Sequence, residues 1–370
     1  CEVIAFSAEL GAGEDLSPLK QKAVDTGASK CIIEDLREEF ARDFIVPAIQ
    51  ANALYEGRYQ MHTSLGRPLI AKYLVDIAHA EGADAIAHGC TGKGNDQVRL
   101  EVVSAALGPE LTCIAPVREW DMKTRDDEID YARKHNIPVK VTKEKPYSID
   151  TNIWGTAIEC GVLEDPNAEP PEDAWPTVVS PEKAPDTPAE VEITFEKGVP
   201  TEINGVARGR VDLIVELNEL AAANAVGRID MVENRLVGIK SRELYEAPAA
   251  MLLIRAHQEL ETMALDREMM HFKPMLTEKF AELIYNGLWY SPLREAISAF
   301  FAKTNEVVSG KIKLRLYKGN VTVIGRECPT SLYDMALATY DEGDLFDHSA
   351  AEGFIKIFGL PSKVIARKQK

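Results

Sequence analysis

The residue types that could do chemistry are concentrated in one short run, AHGCTGKGNDQVR, over residues 87–99. Residues 83–87 are typical of a buried strand, and the residues after the run are typical of a helix. Between them the run holds three glycines and five polar side chains that can bind a ligand: Thr91, Lys93, Asn95, Asp96 and Arg99. In α/β sheets, ligands bind beyond the carboxyl ends of the strands. The run therefore predicts a binding loop.

The glycines and the lysine suggest a phosphate site, but their spacing does not support a known phosphate loop. A Walker loop needs Gly-x-x-x-x-Gly-Lys followed by Ser or Thr, whereas Gly94 follows Lys93 here. The run does not match Gly-x-Gly-x-x-Gly either. The glycines still permit close approach of the backbone to a ligand. Asn95 or Asp96 can cap a helix beginning near Gln97. The role of Lys93 is left open: it is either a phosphate contact or a solvated loop lysine.

The mixture of side chains suits a small zwitterion better than a bare phosphate. Asp96 can hold an ammonium group, while Thr91 and Asn95 can fix a carboxylate and an amide. Arg99 lies one helical turn further on, and its side chain can reach back to the loop to pair with a carboxylate. The alternative is a flexible turn with an ordinary helix cap. Such a turn needs one or two glycines and a cap, but not five polar side chains.

Length, charge and cysteine usage limit the class of protein. The 370 residues are enough for two domains, and the formal net charge of −17 argues against nucleic acid or a membrane surface as partner. No apolar stretch is long enough to span a bilayer. The six cysteines form no Cys-x-x-Cys pair and the histidines no His-x-x-x-His spacing, so we expect reduced thiols, a cytoplasmic location and no metal site.

Strands and helices alternate over the first 145 residues. Short apolar strands between amphipathic helices predict a doubly wound, mostly parallel sheet covered on both faces. The predicted strands cover residues 3–6, 31–33, 83–87, 112–116 and 139–141, and the predicted helices cover 17–25, 40–49, 69–77, 98–107 and 126–135.

The pattern changes after a proline-rich stretch over residues 165–188, which predicts an extended connection or a surface excursion. The remainder indicates an α+β domain. Its predicted strands are 191–195, 229–232, 236–239, 312–316 and 321–323, and its predicted helices are 211–223, 248–265 and one that starts at Pro292. The tail over residues 350–370 is amphipathic.

Several long strings make the sequence resemble the argininosuccinate synthase family over essentially its whole length. They include HGCTGKGNDQVR, ALYEGRY, TSLGRPLIAK, VGRIDMVENRLVGIKSRELYEAP, KFAELIYNGLWYSP and YKGNVTVIGR. The resemblance implies an adenine nucleotide alpha-hydrolase-like domain of the pyrophosphatase-loop type over residues 1–145. It further implies a synthetase and multimerisation domain over 146–345 and a C-terminal oligomerisation helix over 346–370, in a homotetramer.

The resemblance also implies a reaction, the ATP-dependent ligation of L-citrulline and L-aspartate in arginine biosynthesis. The citrulline ureido oxygen attacks the α-phosphate of ATP and releases pyrophosphate. The aspartate amine then displaces AMP from the citrullyl-adenylate and gives argininosuccinate. Mg²⁺ accompanies ATP. A ureido group is a weak nucleophile, so we expect catalysis mainly by positioning and electrostatics, without a covalent enzyme intermediate.

Site residues follow from the resemblance position by position. It implies that Ala8 and Gly89 contact the nucleotide. It assigns aspartate binding to Thr91, Asn95 and Asp96. It assigns citrulline binding to Tyr59, Ser64, Asn95, Arg99, Ser148, Glu233 and Tyr245. The residues nearest the chemistry are then Asn95, Asp96 and Arg99. Without the resemblance, the two tyrosines would be packing residues, Glu233 a solvated turn acid and Ser148 a turn cap.

Departures from the family include the following two. The family's Ser-Gly-Gly-x-Asp-Thr-Ser loop, which grips the pyrophosphate of ATP, occurs nowhere, so we expect the chain to lack the N-terminal pyrophosphatase-loop segment. Ala157 stands where family members have a serine that contacts citrulline, and Thr156 beside it is a candidate replacement.

Two other functions remain open at this point. The first is a non-catalytic, oligomeric amino-acid-binding homologue without ATP chemistry. The second is a related pyrophosphatase-loop tRNA ligase, which the net charge of −17 disfavours because such an enzyme needs a basic surface.

Overall fold

The computed structural model describes residues 1–13, 15–122, 125–137 and 147–369. The predicted strand over 139–141 lies outside these residues. In the N-terminal part the strands are β1 Ile4–Glu9, β2 Lys30–Asp35, β3 Ala85–Ala87 and β4 Thr112–Ile114. The helices are α1 Ser17–Asp25, α2 Arg37–Phe40, α3 Val46–Ala51, α4 His62–Glu81, α5 Asp96–Leu107 and α6 Arg125–Lys134.

The N-terminal strands pair in parallel, as the alternation of strands and helices predicts. β1 pairs with β2 and β3 pairs with β4, each pair connected through at least one helix. Among the described residues these are two separate pairs rather than one continuous sheet. β3 ends at Ala87, so the loop over 88–95 leaves the carboxyl edge of its pair and runs directly into α5.

A π-helical segment, Ala41–Ile45, joins α2 to α3 into one continuous helical rod. Pro47 lies two residues after it, in the first turn of α3, and a proline has no N–H to donate to the preceding turn. Phe40, Phe44 and Ile45 are almost completely buried. The rod therefore anchors the N-terminal part in the main hydrophobic core, which it shares with the C-terminal part.

Two antiparallel sheets form the C-terminal part. The four-stranded sheet has the order β10-β11-β6-β5, and the five-stranded sheet has the order β13-β12-β7-β8-β9. The strands are β5 Ser148–Asn152, β6 Gly155–Glu159, β7 Ala189–Glu196, β8 Val199–Ile203, β9 Val206–Ala207, β10 Arg228–Asn234, β11 Lys240–Glu246, β12 Gly310–Tyr317 and β13 Asn320–Glu327. The helices are α7 Arg210–Ala223, α8 Pro248–Ala264, α9 Arg267–Tyr285, α10 Pro292–Asn305, α11 Met335–Ala338, α12 Ala350–Phe358 and α13 Leu360–Lys368.

One strand predicted for the C-terminal part was wrong. The predicted strand 236–239 is a turn, and β11 begins only at Lys240. Leu236 and Val237 are apolar, but the backbone N–H of Leu236 donates to the side chain of Asn95 instead of to a neighbouring strand. The proline-rich stretch forms no strand or α-helix, as expected of a connection, but it is attached to the C-terminal part at several points. Val178 in it is buried, and the backbone N–H groups of Thr177 and Val178 donate to the Glu246 carboxylate.

The predicted C-terminal helix is two helices, α12 and α13, that meet at Gly359. Both are largely exposed, and Phe354, Ile355, Ile357 and Phe358 of α12 each leave more than half of their surface in solvent. No helix among the described residues has the length and apolar character needed to cross a bilayer.

Candidate active site

Asn95 joins the glycine-rich loop to the C-terminal part. It occupies the N-cap position of α5, but its side chain does not cap the helix. Its amide donates to the Tyr285 hydroxyl (2.8 Å), and its side-chain oxygen accepts from the Leu236 N–H (2.9 Å). Asn95 therefore takes the predicted N-cap position, but two tertiary partners use its side chain in place of the helix N–H groups.

Asp96 lies between two arginines. Its carboxylate accepts from Arg67 of α4 at 2.9 Å and from Arg99, one turn along α5, at 3.1 Å. Burial alone would raise the pKa of Asp96, but the two guanidinium groups hold it below its usual value. Arg67 also pairs with Asp150 of β5. The carboxylate of Asp96 is thus ionised, and Arg67 connects it to β5 of the C-terminal part.

Arg99 is buried, and its guanidinium donates to the backbone carbonyl of Tyr285 (3.0 Å). It also stacks over the Tyr285 ring, with 4.8 Å from the guanidinium carbon to the ring centroid. Gly287, just beyond α9, permits this approach. It has a φ of +74°, and a Cβ there would lie 2.8 Å from the Arg99 Cα. A side chain at 287 would therefore push α9 away from α5.

Glu233 accepts hydrogen bonds from two tyrosines, Tyr245 at 2.7 Å and Tyr285 at 2.5 Å. It is buried in β10, and this burial raises its pKa, although the tyrosine hydrogen bonds and nearby arginines oppose the rise. Tyr245 in turn stacks on Tyr59 with 4.0 Å between ring centroids. The result is a fixed carboxylate beside an aromatic wall, able to accept N–H groups from a ligand.

A second acidic cluster surrounds Arg235, which follows β10. Its guanidinium pairs with Glu159 of β6 at 2.5 Å and with Glu243 of β11. Burial, together with the neighbouring negative charge of Glu159, raises the pKa of Glu243 to about 7, while Arg235 opposes the rise. Glu243 therefore takes up a proton more readily than a solvated carboxyl, and this protonation would remove one negative charge from the wall.

These groups line one cavity of about 280 Å³ at the junction of the two parts. Eight predicted site residues line it: Tyr59, Gly89, Thr91, Asn95, Asp96, Arg99, Glu233 and Tyr245. Lining residues that the sequence did not single out include Thr63, Asp150, Glu159, Arg235 and Glu243. Convergence of charged groups from distant segments is typical of a binding site for small polar molecules.

Three predicted site residues do not line the cavity. Ser64 is buried in α4, and its hydroxyl has no hydrogen-bond partner. Ser148 is exposed at the start of β5, and Ala8 lies near the carboxyl end of β1. Their roles as ligand contacts remain predictions.

Thr156 is poorly placed to replace the serine that Ala157 lacks. Ala157 lines the cavity, opposite Asp150 and Tyr245 on its neighbouring strands. Successive residues of a strand point to opposite faces. Thr156 accordingly points away, and its hydroxyl accepts from Thr151 at 3.1 Å.

His88, Glu101 and Cys113 bring metal-ligand atoms within 4.8 Å of one another. The His88 Nδ1 accepts from the Cys90 N–H, so the ring proton is on Nε2 and points at Glu101, 3.1 Å away. Arg118 pairs with the same Glu101 oxygen at 2.7 Å. The ring proton and the guanidinium occupy the positions a cation would need, so this is a hydrogen-bonded ion cluster.

Comparison with known proteins identifies the family. The family model described as "Arginosuccinate synthase N-terminal HUP domain" matches residues 1–138, and "Arginosuccinate synthase C-terminal domain" matches residues 147–365. The chain belongs to the argininosuccinate synthase family. It is accordingly an ATP-using carbon–nitrogen ligase of arginine biosynthesis, which favours the catalytic interpretation over a non-catalytic homologue.

Individual relatives agree over nearly their full length. The chain is 57% identical to the argininosuccinate synthase of Symbiobacterium thermophilum over 370 residues, and 56% identical to that of Carboxydothermus hydrogenoformans over 369. In each case the alignment covers 100% of this chain and 92% of the relative. The N-terminal family model matches from residue 1 onward, so the expected lack of the N-terminal segment is not borne out.

Proposed function

We propose that the cavity binds citrulline and aspartate side by side, with ATP entering at the glycine-rich loop, and that it makes argininosuccinate. The observation that carries this proposal is the separation of two carboxylates within one cavity. Asp96 is held ionised by two arginines on one wall, while Glu233 is held by two tyrosines on another. Two zwitterions can therefore bind in fixed and different orientations.

Citrulline is assigned to the wall formed by Tyr59, Glu233 and Tyr245. Glu233 still has lone pairs free for ureido or ammonium N–H groups, since each tyrosine uses one site on a different oxygen. Arg99 and Asn95 suit the citrulline carboxylate. The unpartnered Ser64 hydroxyl supports its assignment to citrulline, and the exposed Ser148 completes the proposed set.

Aspartate is assigned to Thr91, Asn95 and Asp96. The ionised Asp96 carboxylate pairs with the aspartate ammonium, and the Thr91 hydroxyl with an aspartate carboxylate. In this arrangement the amine lies near the ureido carbon after adenylation. Attack by the amine forms the new C–N bond, AMP leaves with the ureido oxygen, and the amine nitrogen loses a proton. Asn95 and Arg99 hold both substrates in line.

ATP is assigned to Gly89 in the loop and Ala8 at the end of β1. A Cβ on Gly89 would meet only Val117, at 4.0 Å, so its backbone is open to a ligand. Four of the five cavity carboxylates are poor ligands for a resident Mg²⁺, because each is paired with an arginine: Asp96, Asp150, Glu159 and Glu243. Mg²⁺ therefore enters the proposal as part of the substrate, bound to the phosphates of ATP.

The direct test incubates the protein with citrulline, aspartate and Mg-ATP and follows argininosuccinate, AMP and pyrophosphate. Equal amounts of all three products support the proposal. Citrulline alone should drive exchange of labelled pyrophosphate into ATP, because adenylation precedes the use of aspartate. Exchange driven by aspartate without citrulline would contradict the assigned order.

Replacing Ala157 by serine is expected to lower the KM for citrulline about three- to tenfold, because one added hydrogen bond contributes about 0.5–1.5 kcal/mol. The new hydroxyl would enter the cavity between Asp150 and Tyr245. Steady-state kinetics with citrulline varied measures the change. Ala157→Val is the matched control, since it adds bulk without a donor and should raise this KM. A serine variant that behaves like the valine variant would contradict the prediction.

We also propose a cytoplasmic homotetramer with the domain limits predicted from the sequence. The exposed apolar side chains of α12 support oligomerisation, and all six cysteines are unpaired, in keeping with a reducing compartment. Phe358→Asp is expected to shift the mass measured by light scattering from four chains to fewer. Lys356→Gln, on the same helix, is the control and should leave the tetramer intact. An unchanged mass for Phe358→Asp would exclude α12 from the interface.

A further inference from the structure

The glycine-rich loop is held by side-chain hydrogen bonds to its backbone. Gln97, in the first turn of α5, donates through its amide to the carbonyl of Gly92 at 2.6 Å and to that of Gly94 at 3.1 Å. At the other end of the loop, the N–H of Cys90 donates to the His88 ring at 3.2 Å. Two side chains thus fix three backbone atoms of the segment 88–94, which includes Gly89.

Both side chains are connected to one arginine outside the loop. Arg118 lies in a short 3₁₀ turn, Pro116–Arg118, that follows β4. Its guanidinium donates to the side-chain oxygen of Gln97 at 3.2 Å and pairs with Glu101 at 2.7 Å. The Nε2 of His88 lies 3.1 Å from the same Glu101 oxygen. Arg118 therefore orients Gln97 directly and His88 through Glu101.

We propose that Arg118 is a positioning residue for the reaction: acting through Gln97 and through Glu101–His88, it sets the loop backbone that receives ATP and aspartate. This inference rests on the proposed function of the loop. Glycine has more conformational freedom than any other residue, so a loop with three glycines would have to be ordered by its ligands at a cost in affinity. Side chains that already fix its carbonyls remove part of that cost. Arg118 itself does not line the cavity.

The position of the network predicts which substrates bind more weakly when the network is lost. Gly89 and Thr91 belong to the fixed segment, whereas Glu233 and Tyr245 of the citrulline wall come from the C-terminal sheet and are held by each other and by Tyr285. The citrulline contacts next to the loop, Asn95 and Arg99, are held separately by Tyr285. Loosening the loop should therefore affect ATP and aspartate much more than citrulline. A general loss of folding would affect all three substrates alike.

The experiment compares Arg118→Met, Gln97→Met and the double variant. Each single variant is expected to raise the KM for ATP and for aspartate about 10- to 100-fold, because small misplacements of binding groups have effects of this size. The KM for citrulline should change less than about threefold. Gln97→Met keeps the Arg118–Glu101 ion pair and guards against a folding defect. Arg133→Met, an exposed arginine in α6 that pairs with Asp130, is the control and should match the wild type.

The double variant tests the route of the effect. If Arg118 acts largely through Gln97, the KM for ATP of the double variant should be close to that of the worse single variant. Multiplication of the two effects, or an equal rise in the KM for citrulline, would overturn the proposal.

Hydrogen exchange separates failure of this inference from failure of the proposed function. Arg118→Met should speed amide exchange at residues 89–95 while leaving β10 and β11 unchanged. Unchanged exchange in the loop would overturn the inference even if the wild-type enzyme makes argininosuccinate. Faster loop exchange in Arg118→Met, combined with a wild-type protein that makes no argininosuccinate, would instead locate the failure in the proposed function.

Discussion

Replacing Asp96 by asparagine is expected to lower kcat/KM for aspartate about 100-fold or more, because losing one partner of a hydrogen-bonded charge pair that the bound substrate encloses costs about 2–5 kcal/mol. Citrulline-driven exchange of pyrophosphate into ATP should fall less than about tenfold, since adenylation does not use the aspartate ammonium. The residual effect on exchange is expected through Arg99, which loses its Asp96 partner and is also assigned to citrulline.

Asp150→Asn is the matched control for this prediction. Asp150 pairs with the same Arg67 guanidinium as Asp96, so the variant removes one charge from the ion cluster without removing the proposed partner of the aspartate ammonium. We expect a smaller fall in kcat/KM for aspartate, less than about tenfold, because a half-exposed ion pair contributes about 1 kcal/mol or less. Equal losses of exchange and of aspartate use in Asp96→Asn would contradict the division of ligands within the loop.

The sequence predicted the loop and its elements well because their signals are local. The apolar run before residue 88 and the helical pattern after residue 96 lie next to the polar residues that they position. Asn95, Asp96 and Arg99 are therefore visible as a group in the sequence, and the structure brings them to one cavity. Residues of the other wall, such as Glu233, came only from the family resemblance, since a single acid beside a turn carries no signal of its own.

Tyr285 shows why the rest of the site could not be predicted. It contacts Asn95, Arg99 and Glu233, yet it ends α9, a helix that the sequence pattern did not indicate. That helix has few buried apolar residues before Phe280 and contains Pro274, which weakens a helical prediction. The role of Tyr285 in the site arises only when the two parts of the chain pack together. Arg67 and Arg235 were not predicted for a related reason. An arginine without distinctive neighbours in the sequence is typical of a solvated surface.

The turn after β10 illustrates a competing effect. Residues 236–239 are apolar enough to predict a strand, but the backbone there is needed to receive Asn95 from the loop. The turn also directs Arg235 between Glu159 and Glu243. Tertiary contacts of the site therefore determine the backbone conformation of this turn. The local strand propensity is a weak determinant where such contacts are strong.

Replacing Lys273 by methionine is expected to lower the free energy of unfolding by about 3–5 kcal/mol, because it leaves a buried carboxylate unpaired. Lys273 of α9 and Glu261 of α8 lie 2.5 Å apart, and only 3% of each side chain is exposed. The lysine also donates to the carbonyl of Gln50. Burial lowers the pKa of Lys273, and Glu261 opposes that shift. Neither residue of the pair lines the cavity, so the kinetic constants of the folded variant should stay unchanged.

Two further variants show whether the loss comes from the uncompensated charge. The double variant Glu261→Gln/Lys273→Met removes both charges and keeps the hydrogen bond from Asn52, so it should recover most of the stability. Lys279→Met removes an exposed lysine of α9 that pairs with Glu282, and it should cost less than about 1 kcal/mol. Urea unfolding followed by tryptophan fluorescence measures all three. If Lys273→Met costs no more than Lys279→Met, the buried pair is not an ion pair in the folded protein, and the junction of α8 and α9 is held by apolar packing alone.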